Sequence, residues 1–156
     1  MLYFAYGSNL SKRAMEARAP RSRPVSGAKL LRHCLVFESN EPPGEPDAFF
    51  ANVRLHASGI VPGALYEIDA SDLEALDAYE DVGRRVYERI VLTVEAANGT
   101  RVDAAAYRMD VAGPPRIGLP SPAQLEQIRA GYADWHLDVS ILEAALGVSR
   151  SGFIPK

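Results

Sequence analysis

With 156 residues, 47% of them hydrophobic, the chain has material for one substantial core and is short for two, so a single domain is expected over residues 1–148, with a loosely held tail at 149–156. A formal charge of −3, from 17 Lys and Arg against 20 Asp and Glu, excludes the basic footprint of a nucleic-acid-binding protein. The single Cys34 excludes an internal disulfide and fits a reducing cytoplasm, and no run approaches the ~18 consecutive apolar residues of a membrane span.

Leu2 to Tyr6 is an apolar, aromatic-rich run that reads as a buried strand, with no signal peptide expected ahead of it. It breaks into Gly7-Ser8-Asn9. Gly7 permits positive φ or a close backbone approach, and Ser8 and Asn9 turn the chain beside exposed N–H groups. That arrangement suits an anion or oxyanion site, and equally an ordinary strand-to-helix turn. Ser11 to Ala19 reads as a short helix ending before Pro20, with Arg18, Arg21 and Arg23 in a solvated loop. Lys29 to Phe37 returns to strand, with Leu31, His33, Leu35 and Phe37 on one face and Leu30, Cys34 and Val36 on the other. Asn40 to Asp47, with Pro42, Pro43, Gly44 and Pro46, is irregular. Phe49 to Leu55 and Gly59 to Ile68 read as two strands, the second with a bulge or an edge at Pro62-Gly63.

Ser71-Asp72-Leu73-Glu74 is a capping box that starts a helix at Asp72, with Gly83 as its stop. At roughly 100° per residue, the step from Leu73 to Glu80 closes to within about 20°. Glu80 therefore points where Leu73 and Leu76 point, while Glu74 and Asp81 face water. Partial desolvation near the negative end of a helix disfavours the Glu80 charge and raises its pKa, the condition for proton exchange near neutrality. A competing reading pairs Glu80 with Arg84, Arg85 or Arg89, which lowers it. The sequence does not say which effect wins.

Tyr87 to Glu95 and Arg101 to Met109 flank Asn98-Gly99, a strong hairpin signal. Ile90, Leu92 and Val94 share one face of the first strand, and Tyr87, Arg89, Val91 and Thr93 the other. After the Gly- and Pro-rich loop from Ala112 to Pro120, Ser121-Pro122-Ala123-Gln124 combines an N-cap, Pro at the first helical position and a capping-box Gln. Leu125, Ile128 and Tyr132 mark the inner face of that helix, and Val139 to Leu146 forms a last one between Asp138 and Gly147. His33, His56 and His136 stand apart, so no metal is expected.

Two of these stretches together resemble the gamma-glutamylcyclotransferase family. Tyr6-Gly7-Ser8-Asn9-Leu10 is similar to its N-terminal signature, and Gly63-Ala64-Leu65-Tyr66-Glu67-Ile68, followed by Leu73, Leu76, Asp77 and Tyr79-Glu80, to its central block. Weaker similarity continues through Pro120-Ser121-Pro122 and Ile128 to Gly131. The resemblance implies an α+β fold, a gamma-glutamylcyclotransferase-like mixed, partly closed β-barrel with flanking helices. It implies Glu80 as the catalytic acid/base, the backbone of Tyr6, Gly7, Ser8, Asn9 and Leu10 as the substrate-holding loop, Tyr87 as an aromatic near the site, and no cofactor. Gln124 departs from the pattern: it stands where related chains often carry an aromatic, at the outer wall of the pocket. Phe49 to Val53 also departs in detail.

The implied chemistry is intramolecular acyl transfer. The α-amine of a small γ-glutamyl amine or amino acid attacks its own γ-carbonyl, giving 5-oxoproline and the free amine. The expected partner is that small molecule, with neither nucleic acid nor membrane. The turn amides are left to hold either the substrate carboxylate or the oxyanion. Ser8 is a poor nucleophile candidate, because no His has a triad context and no G-x-S-x-G elbow is present. Two rival readings keep the fold: a non-catalytic module binding a small metabolite, and an enzyme that removes a γ-glutamyl protecting group by cyclisation from a biosynthetic intermediate. In each enzymatic reading the cavity is expected between the Gly7-Ser8-Asn9 turn and the end of the Glu80 helix, with Tyr87 on its wall.

Overall fold

The computed structural model describes the whole chain except Pro43, Arg85, Ala112 and the side chain of Arg84. Alternation and a glycine turn build the most regular part of its sheet. Glu88–Ala96 and Arg101–Arg108 pair antiparallel from Glu88↔Arg108 to Glu95↔Arg101, and Gly99 between them takes φ +83°, which a side chain would strain. Ile90, Leu92 and Val94 turn inward, and Arg89, Val91 and Thr93 face water. Tyr87 breaks the expected alternation: it sits just ahead of the strand, and it is buried.

These two strands are β4 and β5. With β1 (Leu2–Ala5), β2 (Arg23–Glu38) and β3 (Phe50–Glu67) they close a barrel in the order β1-β3-β2-β4-β5. Neighbours are antiparallel except β1 and β5, which meet in parallel at Tyr3↔Ala105. The mixed, α+β barrel expected from the resemblance is therefore present, and it is closed, through two short seams. The second seam is Ala28↔Ala96 and Lys29↔Glu95 between β2 and β4. Phe4, Phe37, Val61, Ala64 and Ala106 are fully sequestered in the shared core.

Three features of the strands differ from the sequence reading. The two strands expected over Phe49 to Ile68 are one, and its irregularity lies away from Pro62-Gly63. Pairing jumps from Leu31↔Ile60 to His33↔Leu55, leaving Arg32 unpaired on β2 with φ 60°. That bulge shifts the strand's phase by one residue, so Leu30 and Leu35, expected on opposite faces, are both core. β2 itself starts at Arg23, well before Lys29.

The helices are α1 (Lys12–Arg18), α2 (Ala70–Tyr79), α3 (Pro122–Asp134) and α4 (Val139–Ser151), with 3-10 turns at Ser8–Leu10 and Val82–Arg84. α2 starts earlier than Asp72, because Asp69 takes the N-cap position and accepts from the Asp72 N–H. The Asp72 carboxylate is buried and accepts the Arg21 N–H instead. α4 runs through Gly147 to end on Gly152 at φ +85°, since its buried stripe of Leu142, Ala145, Leu146 and Ser149 continues past the glycine. Among the described residues no helix is long and apolar enough to cross a membrane.

Candidate active site

Beyond β1, Tyr6 and Gly7 lead into the Ser8–Leu10 turn, where the Leu10 and Ser11 N–H groups bond back to the Gly7 and Ser8 carbonyls at 3.0 and 3.4 Å. The leading N–H groups of Ser8 and Asn9 have no acceptor inside such a turn and remain available. Gly7 has φ −116°, so positive φ is not what it supplies. Space is: a Cβ there would lie 3.2 Å from the Ala51 Cβ.

Glu80 caps the far end of α2, its N–H donating to the Leu76 carbonyl at 2.8 Å, and Asp81 then turns the chain away at φ 53°. The inward stripe holds as the periodicity expects, with Leu73 and Leu76 buried. The Glu80 Oε1 accepts a hydrogen bond from Asn9 Nδ2 at 3.2 Å, joining helix end and turn directly. Of the three arginines that could have paired with Glu80, Arg89 pairs with Asp77 at 3.1 Å. Arg85 and the Arg84 side chain lie outside the described residues. Burial pushes the Glu80 carboxyl up to about 7, prevailing over the Arg18 charge and the Asn9 hydrogen bond, which both lower it.

A cavity of about 400 Å³ opens between these two elements. Tyr6, Gly7, Ser8, Asn9, Glu80 and Tyr87 all line it. Leu10 does not. Its side chain is fully buried in the core, and its carbonyl accepts from Trp135 Nε1 at 3.0 Å and from the Tyr66 hydroxyl. Tyr6 donates its hydroxyl proton to the Tyr107 carbonyl at 2.6 Å, and Tyr87 donates to the Ala51 carbonyl, so both line the cavity with their hydroxyls engaged, and burial holds their protons on. Among the described residues no cluster of three or more potential metal ligands is found.

Sequence reasoning missed two participants and the bonding of a third. Tyr3 read as plain core, yet its hydroxyl reaches the cavity and accepts from Asn9 Nδ2 at 2.9 Å. Arg18 read as solvated, yet its guanidinium lies 3.8 Å from the Tyr79 ring centre and donates to Asn9 Oδ1 at 2.6 Å and to Ser8 Oγ at 3.1 Å. Its only local signal was a basic residue in the last turn of a helix. Gln124 was expected to cap its own helix and to stand at the outer wall of the pocket, and it does line the cavity. Ser121 does accept the Gln124 N–H at 3.2 Å, but the Gln124 side chain crosses to β3, accepting from the Ala51 N–H and donating to the Phe49 carbonyl, both at 3.2 Å.

A partly buried carboxyl raised to about 7 and the Ser8–Leu10 turn therefore face one cavity, and comparison with known proteins gives the family. The chain matches the family model described as gamma-glutamyl cyclotransferase, AIG2-like, over residues 3–136. It is 30% identical over 112 residues to the gamma-glutamylcyclotransferase of Bos taurus, a match covering 69% of this chain and 58% of that protein, so the chain spans less than two thirds of that relative's length. A solved gamma-glutamyl cyclotransferase superposes with a TM-score of 0.79 at 25% identity, over 93% of this chain and 85% of the other. YkqA from Bacillus subtilis superposes with a TM-score of 0.75 at 25% identity, over 97% of this chain and 55% of that one. Fold, paired motifs and sequence match agree: the chain belongs to the gamma-glutamyl cyclotransferase, AIG2-like family.

Proposed function

We propose that this protein cyclises the γ-glutamyl group of a small γ-glutamyl amine or amino acid to 5-oxoproline, with Glu80 carrying the protons. The observation that carries the proposal is a half-buried carboxyl, raised to about 7, bonded to the turn that faces it across the cavity. Between ammonium and lactam the attacking nitrogen gives up two protons, and between amide and ammonium the leaving nitrogen gains two. Glu80 enters as carboxylate, accepts from the α-ammonium, and returns a proton to the departing nitrogen as the C–N bond breaks. A second such transfer balances the reaction. A pKa near the working pH lets one group do both.

The turn supplies the second element. The N–H groups of Ser8 and Asn9 can receive negative charge, and tyrosines wall the cavity beside them. Folding the substrate so that its nitrogen faces its own carbonyl supplies the proximity term without a cofactor. The test is incubation with a panel of γ-glutamyl amino acids, γ-glutamyl amines and glutathione, read as 5-oxoproline released. Turnover of any member identifies the leaving group. Binding of panel members by folded protein with no product from any would replace this reading with that of a non-catalytic module.

A further inference from the structure

Arg18 has only donors to offer, so the Asn9 atom 2.6 Å from its Nη1 is the carbonyl oxygen. This settles which way the Asn9 amide faces. Its NH2 group points to the other side, where one bond reaches the Tyr3 hydroxyl at 2.9 Å and one the Glu80 Oε1 at 3.2 Å. Asn9 is buried, at 3% exposure, so the amide has no room in water to turn. Arg18 is itself held three ways: by Ser8 Oγ, by Gln127 Oε1 at 3.3 Å, and by the ring of Tyr79.

The consequence falls on Tyr3. Because its oxygen accepts the Asn9 bond, its own O–H proton must point elsewhere, and among the described residues no acceptor for it is found. Three other tyrosine hydroxyls at this cavity differ: Tyr6 and Tyr87 donate to backbone carbonyls, and Tyr107 donates to Asp77 or the Leu73 carbonyl, while Tyr79, which also lines the cavity, is half exposed. Tyr3 is buried and lines the cavity, and burial and the Glu80 charge both hold its pKa well above the ordinary value. Its proton stays on at any working pH and is available to a bound molecule.

We propose that Arg18 and Asn9 form a positioning relay that reserves the Tyr3 hydroxyl proton for the reacting carbonyl of the substrate. Tyr3 then donates a hydrogen bond to the oxygen that gains charge as the ring closes, and no covalent change occurs on Tyr3 itself. The proposal rests on the cyclisation reading and deepens it.

The test is a double-mutant cycle in the full chain with Tyr3→Phe and Arg18→Met, each checked for a cooperative unfolding transition. Tyr3→Phe is expected to lower kcat on the order of 10²-fold with KM within a few-fold, the usual effect of removing one oxyanion donor. Arg18→Met should cause a similar loss, and the double variant little more than either single one, because Arg18 acts through Tyr3. Multiplicative losses, or Tyr3→Phe with undiminished kcat, overturn the relay. If Arg18→Met does not fold, Arg18→Lys carries the same cycle with a smaller loss, since an ammonium cannot hold Asn9, Ser8 and Gln127 together.

A second readout needs no turnover. The groups facing Glu80 are Arg18 from α1, Asn9 from the turn, Tyr3 and Tyr6 from the end of β1, Tyr87 ahead of β4, and its neighbour Asp81. Carboxyl ¹³C titration of Glu80 in the resting protein should show its midpoint moving to higher pH in Arg18→Met, because both the Arg18 charge and the Asn9 bond lower it, and moving by less when the same substitution is made in an Asn9→Ala background, where only the charge is lost. An equal movement in both backgrounds overturns the relay's first link. If the unaltered protein releases no 5-oxoproline from any panel substrate, the cyclisation reading fails alone, and this titration still decides whether Arg18 sets the Asn9–Glu80 contact.

Discussion

At the scale of single residues, the site depends on Glu80 preferring its neutral form more than a carboxyl in water does. Its folded pKa, about 7, lies above the 4.5 of an unperturbed glutamate, so the fold favours the proton. The stability this contributes is complete below about pH 4.5 and is lost as pH rises through about 7, an effect of roughly 1–3 kcal/mol for a partly buried group. Glu80→Gln removes the titration. The urea midpoint of the wild type should therefore fall relative to that of the variant as pH climbs from 4 to 8, and parallel curves would contradict the raised pKa. The same substitution should cut turnover by roughly 10²-fold or more in a folded protein, because an amide cannot shuttle protons. In wild type kcat/KM should rise with pH through a midpoint near 7, as the accepting carboxylate forms. Across the cavity, Gly7→Val should harm activity more than Ser8→Ala. Valine adds two methyl groups beyond a Cβ already 3.2 Å from Ala51, whereas losing the Ser8 hydroxyl leaves Arg18 its bond to Asn9. Initial rates on both folded variants check the order. Glu80 was legible in the sequence because helical periodicity alone sets it on the stripe of Leu73 and Leu76. Arg18 was not: beside Pro20, Arg21 and Arg23 it reads as solvated, and only the fold brings Asn9 and the Tyr79 ring to it.

Between elements, the cavity mouth is a joint between the first turn of α3 and the start of β3. Gln124 takes the place of a strand there, giving the Ala51 N–H an acceptor and the Phe49 carbonyl a donor. Two net hydrogen bonds amount to about 1–3 kcal/mol. Gln124→Ala should lower stability by that order and speed amide exchange at Ala51 far more than at Val94 in the core of β4. Equal acceleration at both sites would mean that the clamp is not local. Activity should fall mainly through KM, since Ala51 and Tyr87 form wall while Glu80 is untouched. The clamp was invisible beforehand for a physical reason. Ser-Pro-Ala-Gln satisfies a local capping rule, and local rules do not anticipate a strand arriving at the same spot. The same limit explains β3. Pro62 and Gly63 punctuate the sequence as if a strand ended there, but β2 continues to pair through both, and the register shifts fall instead at Arg32 with residues 56–59 and between Pro24 and Ser26. By contrast Asn98-Gly99 was read correctly as a hairpin, because the loop of Ala97, Asn98 and Gly99, closed by the Gly99 N–H on the Ala96 carbonyl, needs positive φ at Gly99.

In the molecule as a whole, the barrel fixes one wall of the cavity and the helices press the other onto it. β1 is hydrogen-bonded on both sides, to β3 from Leu2↔Glu67 to Ala5↔Ala64 and to β5 at Tyr3↔Ala105, so the turn it delivers starts from a rigid base. α3 then packs on the far side of that turn at Gly131, where a Cβ would lie 2.3 Å from the Leu10 Cβ and 2.8 Å from the Leu10 carbonyl carbon and the Ser11 nitrogen. This makes Gly131 a distant control on the site. In an isolated helix Gly131→Ala would gain about 1 kcal/mol of helix propensity. Here the added methyl meets backbone that cannot swing aside, and overpacking of that kind costs roughly 1–3 kcal/mol. The clash should win, or at best cancel the propensity gain, and relief must come from moving α3 or the turn. Since the turn carries Ser8 and Asn9, the expected outcome is a lowered thermal midpoint together with a fall in kcat, although Gly131 lies outside the cavity wall. Gly147→Ala is the control: it too lies inside a helix, in α4, but has open space where the methyl would go, so it should be neutral or stabilising and leave turnover unchanged. If Gly131→Ala behaves like Gly147→Ala, the seating of α3 on the turn has no part in holding the site.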